Sequence, residues 1–530
     1  MRRSIIEMPA ARLLLLGVIL MASTPMRAQQ THVVVVSGDA APDGNGVIAN
    51  LIADSSPGDT GHGPALNNAG QAVTPALLNG TSGGDADDSG LFLYDGTRLV
   101  QLAREGQPSP DGDGVLNLFN NAEPIALNAE GRTAFLGFLR HSSSGELLAP
   151  AIFSIGPTGE DLSIFLRDGN PSPDGNSMVQ FVLQPASLTD ADTIAFSARF
   201  SSADPLGDSG MVRGNLLTGD AFVVARAGQS APGGSGQFSL ISAIAANDAG
   251  SGIFFSTIRG SQVSVNDQGV FLADASGALT TIARYGDANP DGPNLFNAIQ
   301  GTGASPDASI IGIGAFLADT VDGEITSDGL FEFQDGALNA AVQFDDPAPN
   351  GGLFVGFGAP KFQPEIIPIE LNAHGQLGFF GFVARGANTF RGIYRCDAPG
   401  QCIEIAIDGQ PVGDGNGVFQ LDSTPSAFTS DDVPHMNANG DIAFFTNLVD
   451  ADMGITANEG IFYYSDAHGL LKVIRKGDAL LGSTVADLRF SGGFNDAGQV
   501  AYDFALVDGR SGLAIWSPST TDVIFRNGFD

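Results

Sequence analysis

Asn128-Ala-Glu-Gly131-Arg-Thr-Ala134-Phe135 is a phrase that this chain repeats along nearly its whole length. It returns as Asn437-Ala-Asn-Gly440-Asp-Ile-Ala443-Phe444 and as Asn495-Asp-Ala-Gly498-Gln-Val-Ala501-Tyr502. Looser copies start at Asn67 (with Gly70), Thr189, Asn247 (with Gly250), Ser305 and Asn372 (with Gly375). The eight starts are 61, 61, 58, 58, 67, 65 and 58 residues apart, and a regular period of that size marks a modular array. Asn at the first position of a turn bonds back to its own backbone, and Gly three residues on accepts positive φ. Apolar residues on either side turn each copy into a β-hairpin.

Two further phrases keep step with the first. One is an apolar run, Arg-x-Gly and a Pro-Asp-Gly turn, as in Leu102-Ala-Arg104-Glu-Gly106 followed by Pro110-Asp111-Gly112. The other is Gly-[Leu/Ile/Val]-Phe, as in Gly90-Leu-Phe92, Gly269-Val-Phe271 and Gly460-Ile-Phe462. After the N-terminus no stretch shows sustained helical periodicity, so each unit is expected to hold three or four short antiparallel strands. Strands such as Ala443-Phe444-Phe445 are apolar on both faces, which places each sheet between two neighbours. Eight such sheets arranged radially form an all-β β-propeller with blades of about 60 residues. The alternative is an open β-solenoid, which requires distinct capping repeats; none is visible. The expected layout is one domain, 29–530, with repeats 31–98, 99–161, 162–220, 221–278, 279–337, 338–401, 402–469 and 470–530. The tail Val523-Ile-Phe-Arg526-Asn-Gly528 resembles the start of a ninth unit, able to pair into the first sheet and fasten the ring.

Phe outnumbers Tyr and Trp by 36 to 6 and 1, and Phe lacks the polar handle that interfaces favour. Phe119, Phe181, Phe238, Phe296, Phe354 and Phe419 follow the Pro-Asp-Gly turn or its equivalent and are expected in the core, as is Phe135. Gly137, Gly314 and Gly381 beside Phe are expected to let adjacent sheets approach closely. The repeated Asn, Gly and Phe are therefore fold determinants.

Arg2 and Arg3, the apolar run Leu13–Ala22 and the small residue Ala28 have the layout of a secretory signal peptide over 1–28. No later segment is long and apolar enough to span a membrane. Cys396 and Cys402 flank a hairpin neck and are expected to form a disulfide in an oxidising compartment. A net charge of −35 opposes nucleic acid and anionic membranes as partners. The acid is spread through turns, where it confers solubility. A competing reading is calcium: Asp43, Asp111, Asp113 and Asp414 sit in Gly-rich Asp-Gly turns, though none completes a full calcium loop. Otherwise no cofactor is expected. The six histidines are scattered without metal-ligand spacing, and His374 and His435 are expected as ordinary exposed side chains. No nucleophile elbow or phosphate loop occurs.

The Asn-x-x-Gly-x-x-Ala-Phe pattern resembles that of the bacterial secreted choice-of-anchor tandem-repeat family. The resemblance covers essentially the mature chain and implies an exported or surface protein without catalytic residues to carry over. The ending Ile524-Phe-Arg-Asn-Gly-Phe-Asp530 departs from the family's commonest sorting signal. The reading is a secreted, monomeric, non-enzymatic binding or adhesion scaffold for an unknown protein or glycan. The alternative is an extracellular hydrolase or lyase with a channel-mouth site.

Overall fold

The computed structural model describes residues 30–51, 63–117, 125–141, 144–202, 208–358, 369–413, 417–421, 434–449 and 458–518. The signal-peptide stretch, the tail from 519, Phe119 and Asp414 lie outside the described residues. Eight antiparallel sheets of four or five strands follow one another round a closed ring, forming an eight-bladed β-propeller. Blade 3 shows the plain form: Val179–Leu188, Thr193–Phe200, Asp208–Asn215 and Ala221–Arg226, each paired with the next. In blades 1, 2, 6 and 7 the first strand is split into two pieces that both pair with the second strand. One short 3-10 turn, Gly84–Ala86, interrupts the β structure among the described residues.

The ring closes through its N-terminal strand. Gln30–Val36 runs antiparallel to Ser511–Ser517, with Thr31 opposite Trp516 and Val35 opposite Leu513. It supplies the outermost strand of blade 8, followed inward by Ser511–Ser517, Val500–Leu506 and Ser483–Arg489. The tail that the sequence reading also offered for this closure lies outside the described residues. The blade as folded is thereby offset by one strand from the sequence repeat: the first strand of repeat 31–98 completes blade 8, and the rest forms blade 1 together with Leu99–Arg104, the first strand of the next repeat.

Eight apolar clusters fill the eight spaces between adjacent blades rather than one central core. Val35, Leu513 and Ile515 of blade 8 pack with Ile48, Ala72 and Phe92 of blade 1, so the closing junction is built like the others. Phe135, Phe238, Phe296, Phe354 and Phe419 are buried as expected. Phe181 is the exception, 38% exposed, because Val179 takes the core position and the register then shifts. The glycines beside Phe also act differently from expectation. A Cβ on Gly137 would lie 2.7 Å from the Phe153 ring of its own sheet, so this glycine makes room for a ring rather than for the next blade. Gly269, in the Gly-x-Phe phrase, is crowded likewise by Phe271 two residues on, at 2.8 Å.

Candidate functional site

Strand order places the Asn turns, between first and second strands, on one face of the ring and the Pro-Asp-Gly turns on the other. Each Asn turn closes as expected: Gly131 N–H donates to Asn128 O and Asn128 N–H to Arg132 O, with Gly131 at φ +80°. Asn128 Oδ1 accepts from the Arg132 N–H. Its Nδ2 does something the turn does not need, donating across the blade junction to Asp192 Oδ1 at 2.9 Å. Asn67 Nδ2 donates to Asn128 O (2.8 Å), Asn372 to Asn437 O (3.3 Å), Asn437 to Asn495 O (3.1 Å) and Asn495 to Asn67 O (2.9 Å). The motif asparagines thus form a belt that crosses the joint between the last and first blades. Asn247 caps its own turn through the Ser251 N–H, and Gly250 lies against the Arg213 guanidinium of blade 3. Gly70, Gly375, Gly440 and Gly498 hold the same left-handed position as Gly131.

The opposite face carries a second belt. Arg104, ending the last strand of blade 1, reaches the preceding turn through Asp43 (3.0 Å) and the Asn45 carbonyl (2.8 Å). Arg167 pairs with Asp111 (2.6 Å) and Asp113 (2.9 Å), and Arg226 with Asp174 (2.7 Å). Burial, the largest influence, pushes the Asp111 carboxyl up. Hydrogen bonds from Ser109 and the Asp113 N–H, with Arg167, outweigh it and hold the group below the usual range. The described calcium candidates are therefore arginine partners, and among the described residues no group of three or more His, Cys, Asp or Glu side chains is arranged to hold a metal. Cys396 and Cys402 stand opposite one another on adjacent strands of blade 6 and are joined by a disulfide.

A cleft of about 770 Å³ opens between blades 1 and 2. Gln101, Arg104, Glu105, Gln107, Arg140 and His141 contribute to its walls, with Asp87 at the rim. Arg104 braces it, donating from Nε to Asp87 O (2.8 Å) and from Nη1 to Gln101 Oε1 (3.2 Å). Its own N–H donates to Gln107 Oε1 at 3.2 Å. Glu105 lies 2% exposed, accepting from Ser89 Oγ (2.9 Å), with Arg140 Nη2 at a longer 3.5 Å. Burial pushes the Glu105 carboxyl up, and neighbouring Asp88 adds to the shift against Ser89 and Arg140. Burial also acts to raise Asp87, but hydrogen bonds from Thr81, Asn45 and Gly83, with Arg104, hold it below the usual range.

One histidine departs from expectation. His435 is 17% exposed, with Nδ1 3.4 Å from Glu370 Oε1 and its ring edge-on to Phe490. Small or compact residues, such as Ala65, Ala126 and Gly303, stand two before the motif position in most blades; Glu370 and His435 are the adjacent exceptions. His374 is exposed, as expected. Sequence reasoning missed the cleft residues because Arg104-Glu105-Gly106 was absorbed into a repeated phrase. Its varying middle residue (Glu105, Asp168, Ala227, Tyr285) was the available signal.

Eight sheets, closed by the N-terminal strand and belted on both faces, define an eight-bladed β-propeller protein. The chain matches the Family of unknown function (DUF7453) over residues 23–424 and 418–520, and it belongs to that family. No curated protein matches it. Among solved structures it is similar to TolB from Acinetobacter baumannii, at 13% identity and a TM-score of 0.29, over 64% of this chain and 61% of that one. It is also similar to the β-propeller domain of the Trilobed protease from Pyrococcus furiosus (9% identity, TM-score 0.40, 77% of this chain, 98% of that one). An oligogalacturonate lyase from Vibrio parahaemolyticus is similar at 10% identity and a TM-score of 0.39, over 93% of this chain and 99% of that one. Likenesses this distant carry no argument about function.

Proposed function

We propose that this protein is a non-enzymatic binding scaffold that works outside the cytoplasm, with the cleft between blades 1 and 2 as its ligand seat. The cleft itself carries the reading: about 770 Å³ is in the range of small-ligand sites, and its lining joins residues of two blades. The side-chain amides of Asn67, Asn128, Asn372, Asn437 and Asn495 are engaged between blades, which leaves recognition to side chains that differ from blade to blade. The disulfide and the N-terminal signal layout support an extracytoplasmic site of action. Among the described residues no helix is long and apolar enough to cross a membrane. The test is a glycan and protein binding array with the mature chain and with Ala86→Trp, which fills the cleft from its rim. Loss of captured ligand with an unchanged melting temperature supports the reading, and undiminished capture by the variant ends it.

A second reading, a hydrolase or lyase, draws on two carboxyls of one cleft that their surroundings push in opposite directions, Glu105 up and Asp87 down. That is the pattern of an acid and a base sharing a site. Turnover of a captured glycan that disappears in Glu105→Gln while binding persists would favour it.

A further inference from the structure

We infer that the cleft between blades 1 and 2 selects an anionic ligand, the carboxylate of an acidic sugar; the inference rests on the cleft being the ligand seat. The argument is a balance of donors and acceptors. Gln101 Oε1 and Gln107 Oε1 are both taken by Arg104, which orients each amide and leaves its NH2 group for the cleft. Arg140 uses Nη2 for the Ala86 carbonyl and Glu105. Among the described residues its Nε and Nη1, the two amide nitrogens and the His141 ring have no hydrogen-bond partner. The carboxylates are partly engaged already: Asp87 takes Asn45 Nδ2 on one oxygen and the Gly83 N–H on the other, and Glu105 takes Ser89 Oγ with Arg140 near its second oxygen. What the cleft offers a ligand is therefore an excess of N–H groups around a guanidinium, and such a set is complemented by a carboxylate flanked by hydroxyl and ring oxygens.

Two observations sharpen this. Burial pushes the Glu105 carboxyl up, and its contact with Arg140 is long, so the buried acid competes weakly with an incoming anion for the guanidinium. A peptide that adds to a sheet is held by main-chain pairing at a strand edge. Here the edge of Leu99–Arg104 is obstructed at Gln101, whose carbonyl packs directly against Gly159 of blade 2. A sugar needs no such edge. In a chain with 59 acidic and 24 basic residues, a donor-rich cleft also stands against the prevailing field, so binding of an acid there is local rather than a product of net charge.

The experiment is calorimetric titration of the mature chain with three probes. These are a hexuronic acid trisaccharide, the neutral hexose trisaccharide of the same linkage, and a triglutamate peptide. The expected result is a preference of about tenfold or more for the uronate over the neutral sugar, weakening with salt. Arg140→Gln should remove that preference. Because Arg140 also bonds the Ala86 carbonyl, Glu105→Gln is the companion variant, and it should hold or tighten uronate binding by removing the competing acid. Equal binding of neutral and acidic sugars, unaffected by Arg140→Gln but lost in Ala86→Trp, overturns the anion inference and leaves the ligand seat standing. Preference for triglutamate overturns the sugar. No binding of the uronate overturns the inference, while the array with Ala86→Trp judges the ligand seat separately.

Discussion

The motif asparagine does two jobs with one amide. In Asn437 the Oδ1 accepts from the N–H groups of Asn439 and Asp441, which any good turn residue would manage. The Nδ2 donates to Asn495 O of the next blade, which only an amide at this position manages. Asn437→Ala removes both and should cost about 1–3 kcal/mol by urea unfolding, since buried backbone groups lose their partners. Asn437→Asp separates the jobs: it keeps the turn acceptor but sets a carboxylate against a carbonyl. It should therefore destabilise at least as much as Ala. A neutral Asn437→Asp would mean that the turn alone matters.

At the scale of the strand, Glu332 stands out on Ile325–Gln334 of blade 5, half-buried, and burial lifts its carboxyl to about 7. Its ordinary value is 4.5, so the folded chain holds the proton more tightly than the unfolded one. The linked stability is present below that ordinary value and is lost as pH rises through about 7. Glu332→Gln should accordingly raise the melting temperature at pH 8 and leave it nearly unchanged at pH 4; an equal shift at both would remove the carboxyl from the explanation. In blade 6 the disulfide closes a ring of sequence separation 6, so its entropic contribution is small, about 2 kcal/mol. Cys396→Ala with Cys402→Ala should lower stability by about that much without unfolding blade 6. The Gly400 N–H to Ala341 O bond, 2.9 Å long, still docks the hairpin on blade 5. Chemical denaturation of oxidised and double-mutant chains decides the size.

For the whole molecule, the weak point of a ring is where its ends meet. Deleting the closing strand Gln30–Val36 uncovers the edge of Ser511–Ser517 and strips Val35 from the cluster shared by blades 8 and 1. The shortened chain should lose its single cooperative melt and associate through the bared edge. Calorimetry with size-exclusion chromatography checks this, and an unaltered monomeric melt would show that the belts alone hold the ring. The arginine belt makes a second forecast. Calcium would have to displace Arg104 and Arg167 from Asp43, Asp111 and Asp113. Millimolar calcium should therefore leave the melting temperature where magnesium leaves it, and a calcium-specific rise would restore the metal reading of those turns.

Periodicity alone determined the eight units, their all-β character and the turn at each Asn-x-x-Gly, because turn geometry is local and a repeat multiplies one local preference eightfold. The cysteine pair was legible for the same reason: six residues and one hairpin separate its members. Contacts that join distant parts of the chain were not legible. Asn495 meets Asn67 across 428 residues, and Arg104 meets Asp43 across 61, so neither the belts nor the spending of the Asp-Gly carboxylates on arginine shows in any window of sequence. The closing strand was missed because Val33-Val-Val-Val36 looks like the opening of the first unit, and only ring closure places it beside the last. The cleft belongs to the same class. Arg140 and Gln101 come from different blades, and which of their atoms remain free to meet a ligand is settled by what the folded neighbours have already taken.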